Sequence, residues 1–143
     1  MTEDFDRQRL SLVNIPVRDL AQARAFYEKG LGFEPATVME DIAFYRMNGF
    51  VLGFMTPKTW KDERLGRPFL GPTCLAVNFS SREEVDAFLA RGVAAGGKLV
   101  KPAEATHWGG YSGYFADPDD NLWEGALNPF WEITAEGHTV IPR

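Results

Sequence analysis

Two halves of this chain carry the same succession of local signals, and a duplicated pattern restricts the fold more than any single residue does. Asp117-Pro-Asp-Asp120 joins the aromatic run 111–116 to the apolar run 122–127 with residues that bend the backbone. Asn48-Gly49, a hairpin turn signal, joins the runs 42–47 and 50–55 in the same way. Gly53 stands four residues beyond Gly49, and Glu124 stands four beyond Asp120. A glycine and a carboxylate therefore occupy matched places in two modules.

The duplication extends backwards. Asp19-Leu-Ala-Gln22 and Ser81-Arg-Glu-Glu84 are both capping boxes, in which side chains satisfy the free amides at a helix start. Leu20, Ala23, Phe26 and Tyr27 follow the first at helical spacing; Val85, Phe88, Leu89 and Val93 follow the second. Gly30 and Gly32 end one helix and Gly96-Gly97 the other. An apolar-rich strand precedes each helix, at 10–17 and at 74–79. Three extended segments follow each, at 34–40, 42–47 and 50–55, then at 98–103, 111–116 and 122–127. The pattern predicts an α+β fold of two tandem βαβββ modules, about 9–57 and about 72–131, within one domain over 1–143.

Composition restricts the partners. A formal charge of -5 argues against a nucleic-acid surface. Residues 1–10 carry Glu3, Asp4, Asp6, Arg7 and Arg9, so they make no secretory signal core, and no apolar run is long enough to span a bilayer. The expected location is the cytoplasm. Cys74 is the only cysteine, which removes intrachain disulfides and thiolate metal clusters, and its apolar strand predicts a packed small residue over a reactive thiol.

The paired modules, the helix start Val17-Arg-Asp-Leu-Ala-Gln-Ala-Arg-Ala-Phe-Tyr27 and the segment Gly113-Tyr-Phe-Ala-Asp-Pro-Asp-Asp-Asn-Leu-Trp-Glu124 resemble the vicinal oxygen chelate superfamily. Glyoxalase I, extradiol dioxygenases, fosfomycin-resistance enzymes and bleomycin-resistance proteins belong to it. The resemblance runs over about 10–129 and implies cupped mixed sheets, the glyoxalase/bleomycin-resistance/dioxygenase fold. It specifies the fold better than the reaction, because one scaffold carries isomerases, dioxygenases, transferases and binders without chemistry.

The resemblance also implies where a divalent metal is held, on the first and last strands of each module. Glu124 matches the last-strand ligand, Cys74 falls where a histidine is expected, Leu12 is at the first-strand position and Gly53 at the fourth-strand position. A single carboxylate cannot hold an ion that needs three protein ligands, so no metal and no cofactor is expected. His107 and His138 lie outside those strands.

Period-two alternation places Glu124 with Leu122 and Ala126, Leu12 with Asn14, and Cys74 with Ala76 and Asn78 on the sheet faces that line a cavity. Leu75, Val77, Phe79 and Trp123 then face the helices. Small or apolar Leu12, Gly53, Cys74 and Ala76 leave space, while Asn14, Asn78 and Glu124 supply polar handles, a lining suited to a small organic ligand. The segment 103–114 sets Trp108 and Tyr111 among glycines as further candidate ligand contacts, or as rings packed under a turn. Arg46 is a candidate ion-pair partner of Glu124 or a contact to ligand.

Two functions fit these residues. One is metal-independent binding of an aromatic or amphipathic small molecule, as the bleomycin-resistance proteins do. The other is a glyoxalase-type lyase, isomerase or dioxygenase acting on a small oxygenated substrate, with Glu124 as general base and His107 beside it. The segment 56–69 either covers the cavity mouth or links the modules, with Trp60 and Phe69 as its contacts. Phe130 and Trp131 follow the last strand, and the resemblance implies a homodimer that buries one of them.

Overall fold

The computed structural model describes residues 8–142; the charged N-terminal residues Glu3, Asp4, Asp6 and Arg7 lie outside the described residues. The first module comprises β1 (Leu12–Pro16), α1 (Leu20–Arg24), β2 (Pro35–Val38), β3 (Ile42–Arg46) and β4 (Val51–Met55). A short helix, α2 (Pro57–Asp62), leads to the second: β5 (Cys74–Phe79), α3 (Arg82–Ala94), β6 (Lys98–Ala105), β7 (Tyr111–Ala116) and β8 (Leu122–Leu127). A small hairpin, β9 (Glu132–Ile133) and β10 (Thr139–Val140), closes the chain.

Both modules fold as the duplicated pattern predicts. The sheets are ordered β1-β4-β3-β2 and β5-β8-β7-β6. In each, the first strand runs parallel to the last and the others pair antiparallel. The crossover helices start where the capping boxes lie: Asp19 accepts from the Gln22 amide at 3.0 Å, and Ser81 accepts from the Glu84 amide at 3.2 Å. The first helix widens into a π-helical turn, Ala25–Gly30, before Gly32 leaves it at a φ of 82°.

The helix-facing sides of the two sheets share one core. Ile15, Tyr45, Leu52 and Phe54 come from the first sheet, Phe115 and Trp123 from the second, and Phe26, Tyr27 and Leu89 from the helices. Tyr27 sits at the centre, 4.7 Å from the Phe54 ring and 5.9 Å from the Trp123 ring. Replacing a fully buried ring such as Phe54 or Phe115 with alanine costs about 3–5 kcal/mol, so these contacts hold the modules together. Leu75 and Val77 pack on the same core, and Phe79 meets Phe88 at 5.2 Å, as the alternation predicts.

The Asp117–Asn121 turn is a latch between modules as well as a bend. Asp117 Oδ1 accepts from the amides of Asp119 and Asn121, and its Oδ2 accepts from Tyr27 Oη at 2.5 Å and from Asn121 Nδ2 at 2.9 Å. The Asn121 amide donates to the Pro16 carbonyl at 3.0 Å and accepts from Thr73. Arg18 donates from its backbone and its guanidinium to Asp119 Oδ1. Every one of these bonds outside the turn itself reaches the end of β1, the first helix or the approach to β5.

Three local expectations change. The β6 strand runs on to Ala105, with register shifts between Leu99 and Lys101 and between Lys101 and Glu104, because Pro102 has no amide to give to a regular ladder. The inter-module segment opens as helix α2, capped by Thr56, with Trp60 donating to the Arg67 carbonyl and meeting Phe69 at 6.3 Å. It packs on itself. The β9–β10 hairpin has strands of two residues, too short to show a period.

Candidate functional site

The sides of the two sheets turned away from the shared core carry the residues that the alternation selects. On the second sheet, Glu124 stands between Tyr114 on β7 and Ala76 on β5. The next row of the same face is Ser112, Ala126 and Asn78, and Cys74 lies opposite Leu122 in the row before. Burial, and then the adjacent Glu124 carboxylate, push the Tyr114 phenol above its ordinary pKa. A neutral phenol and a carboxylate thus share one open surface.

Cys74 is exposed on that surface, which corrects the expectation of a packed thiol. The reason is positional. Its neighbour Leu75 takes the core side of β5, and period two then turns Cys74 outward.

On the first sheet the corresponding row is Asn14, Gly53 and Phe44. A Cβ on Gly53 would lie 2.2 Å from Asn14 Oδ1 and 3.2 Å from the Phe44 ring, so only glycine lets both side chains close over β4. Asn14 Oδ1 is buried there without a hydrogen-bond partner among the described residues. A polar atom in that state is a ready acceptor for a ligand donor. Beside it, Leu12, Phe44, Arg46 and Val51 line a hollow of about 330 Å³.

Several sequence candidates are not brought to this surface. Tyr111 points the other way: it donates to Asp86 on α3 at 2.7 Å and lies 4.7 Å beneath the Arg82 guanidinium. Tyr111 and Tyr114 are three residues apart on one strand, so they fall on opposite faces. His107 and Trp108 belong to the β6–β7 turn, beyond the Tyr111–Leu127 pair that ends the ladder. Trp108 packs over Gly110, where a Cβ would meet its ring at 2.0 Å. Arg46 is exposed on β3 and forms no ion pair with Glu124 among the described residues.

Sequence reasoning missed Tyr114 and Phe44. Counting by two from the faces of β8 and β4 reaches both, because each sits directly across from a residue already selected. It also missed His138, which lines a hollow of about 370 Å³ with Asn48, Phe50, Ala76 and Asn78.

The described helices are all too short and polar to cross a membrane. A family model, the Glyoxalase/Bleomycin resistance protein/Dioxygenase superfamily, matches residues 9–124. The chain belongs to that superfamily. Among solved structures it is similar to a glyoxalase-related enzyme from Fulvimarina pelagi, at 36% identity and TM-score 0.89 over 96% of this chain and 100% of that one. It is also similar to a fosfomycin resistance protein from Listeria monocytogenes, at 26% identity and TM-score 0.65 over 85% of this chain and 94% of that one. A lactoylglutathione lyase from Agrobacterium tumefaciens shares the fold at 20% identity and TM-score 0.72, over 87% of this chain and 97% of that one. No curated protein matches the chain.

Membership makes the metal question concrete. The positions that the resemblance implies for metal ligands are Leu12, Gly53, Cys74 and Glu124; Asn14 pairs with Gly53 and Ala76 with Glu124, which adds one neutral amide. Among the described residues no group of three His, Cys, Asp or Glu side chains is placed to hold an ion. A divalent metal wants three protein ligands and an open position. This donor set does not fit one.

Proposed function

We propose that this superfamily member binds an aromatic or amphipathic small molecule against the open sheet faces, without a divalent metal. The observation that carries the reading is the half-buried Tyr114–Glu124 pair on a floor of small and apolar Ala76, Leu122 and Ala126, with Ser112 and Asn78 in the next row. A carboxylate accepts from a ligand hydroxyl or cation, the phenol donates to a ligand oxygen, and Ala76, Leu122 and Ala126 leave room for a ring. The partner in this reading is a small molecule, and neither nucleic acid nor membrane enters it. Cytoplasmic residence is part of the same reading.

The site is completed by a second chain in this reading. Leu12 is 39% exposed, Cys74 and Ala76 are exposed, and Phe130 and Trp131 stand 65% and 38% exposed after β8. A C2 homodimer that buries Phe130 or Trp131 at its interface and sets a sheet of one chain opposite a sheet of its partner leaves a cleft between them, open to solvent at Cys74 and Ala76, in which the ligand sits. A mass near 16 kDa in sedimentation equilibrium at micromolar concentration contradicts it.

One observation favours a second reading. Tyr114 and Glu124 together can hold and move a proton, so a lyase, isomerase or dioxygenase of the glyoxalase type with Glu124 as base remains an alternative. Elemental analysis of the purified protein and a thermal-shift screen with aromatic antibiotics, catechols and glutathione adducts separate the two. Stoichiometric Zn, Fe, Mn or Ni overturns the binding reading. So does a Glu124→Gln variant that loses several kcal/mol of stability yet binds ligand as before, because Glu124 is then a structural partner.

A further inference from the structure

The family match ends at Glu124, and the chain then adds the β9–β10 hairpin. That hairpin is anchored across the molecule. Asn48 Nδ2, in the β3–β4 turn of the first module, donates to the Glu136 carbonyl at 2.6 Å. Gly137 makes the approach possible: its φ is 85°, and a Cβ there would lie 2.7 Å from Asn48 Nδ2. The loop is also closed on itself, by the Gly137 amide to the Thr134 carbonyl at 2.9 Å, the Thr134 amide to the His138 carbonyl at 2.8 Å and the His138 amide to Thr134 Oγ1 at 3.1 Å.

This anchoring sets His138 and Thr139 against Asn78 and Phe50 around the hollow of about 370 Å³. The hollow is contiguous with the Glu124 site, because Ala76 belongs to its wall and is the strand partner of Glu124. The wall has a definite chemical character. His138, Asn78 and Thr139 all bring N–H or O–H donors, Phe50 brings a flat apolar surface, and no carboxylate side chain lines the space. The nearest acid on the hairpin, Glu136, is held below the usual carboxylate range by hydrogen bonds from its own backbone amide and from Thr134, and it is not part of the lining.

We infer that the hollow between the C-terminal hairpin and β5 is a subsite for the carboxylate of a small aromatic acid whose far end reaches Glu124. The inference rests on the binding reading above and names its ligand class. Length supports it: Asn78 and Ala76 are two residues apart on one strand, about 7 Å at the usual rise, which is about the span from carboxylate to para substituent across a benzene ring. An acid placed this way keeps its charge at the donor-lined end and away from Glu124. A para hydroxyl meets the Glu124 carboxylate as a donor.

The test is calorimetry on the full chain with 4-hydroxybenzoate and with its neutral isostere 4-hydroxybenzamide. The wild-type protein binds the acid at least about fivefold more tightly than the amide, the scale of one charge-assisted hydrogen bond. His138→Ala and Asn78→Ala each bring the two probes to similar affinity; His138 is exposed, so its removal leaves the fold intact, as circular dichroism will verify. Glu124→Gln weakens acid and amide by similar factors, because it touches the end they share. Equal binding of acid and amide by the wild type overturns the subsite, as does an acid preference that survives His138→Ala, or no binding of either probe. Equal binding that still falls in Glu124→Gln removes the subsite while leaving the reading of the Glu124 floor in place.

Discussion

The phenol of Tyr27, in the helix of the first module, donates to the carboxylate of Asp117, in the last turn of the second, at 2.5 Å. Trp123 Nε1 donates to the same phenol oxygen at 2.9 Å, so one hydroxyl serves two partners inside the shared core. Burial, and then the charge of Asp117, push the Tyr27 phenol far above its ordinary pKa, which keeps it a donor at any pH at which the protein folds. The two modules are therefore coupled by a buried polar link as well as by packing.

Tyr27→Phe removes that link without emptying the core. It leaves a buried carboxylate short of one donor and an indole N–H without an acceptor. The expected loss is about 2–4 kcal/mol in unfolding free energy, from a charged and a neutral hydrogen bond lost together. Urea denaturation measures it; a loss under about 1 kcal/mol would show that water or a rearranged side chain replaces the phenol.

Asn121→Ala is expected to cost at least as much, about 3 kcal/mol or more. The side chain is fully buried and joins Pro16, Thr73 and Asp117, three points on different elements. Its loss frees the end of β1 from the approach to β5, so hydrogen exchange of amides around Val17 and Thr73 accelerates more than that of the β3–β4 ladder. Uniform acceleration throughout the chain would mean that Asn121 stabilises the molecule only globally.

How far the sequence disclosed this molecule depends on the range of the signal. Period two and the capping boxes are local, so both βαβββ modules and the outward faces of Asn14, Cys74, Asn78 and Glu124 were legible. Tyr111 was misplaced even though the strand 111–116 was legible, because its ring was grouped with the aromatic segment 103–114 and the alternation that sets it opposite Tyr114 was not counted along that strand. The latch was not legible at all: its partners outside the turn are 48 to 105 residues away, and an Asp-Pro-Asp-Asp-Asn turn looks the same whether its side chains face water or a buried tyrosine. His138 came into the candidate site only through Asn48, 88 residues before the carbonyl that it anchors.

Tyr114 provides a pH test of the floor. Burial and Glu124 raise its folded-state pKa, so the neutral phenol is the favoured form. Its contribution to stability is fully present below the unfolded tyrosine pKa of about 10 and is lost as pH rises through the higher folded value. Carbon-13 labelling of the tyrosine ring, assigned with Tyr114→Phe, is expected to show this phenol titrating at higher pH than the unfolded tyrosine does. Glu124→Gln removes the charge but not the burial, and moves the titration part of the way back. An unchanged titration in that variant would show that the two side chains lie on one face without interacting.

Cys74 tests whether that face is open to a ligand. Its thiol is exposed two positions before Ala76, the strand partner of Glu124, so a small thiol reagent is expected to modify one equivalent in the native protein without denaturant. The rate should fall within about tenfold of the rate in urea, since the thiol is already accessible in the folded chain. An aromatic ligand seated against Ala76 and Glu124 lies over the thiol and slows modification several-fold, in proportion to occupancy, and Glu124→Gln shifts that protection to higher ligand concentration. Modification confined to the unfolded protein would place Cys74 in a packed contact between two chains. Modification that ligand leaves untouched would place the ligand elsewhere, and either outcome removes this face from the binding site.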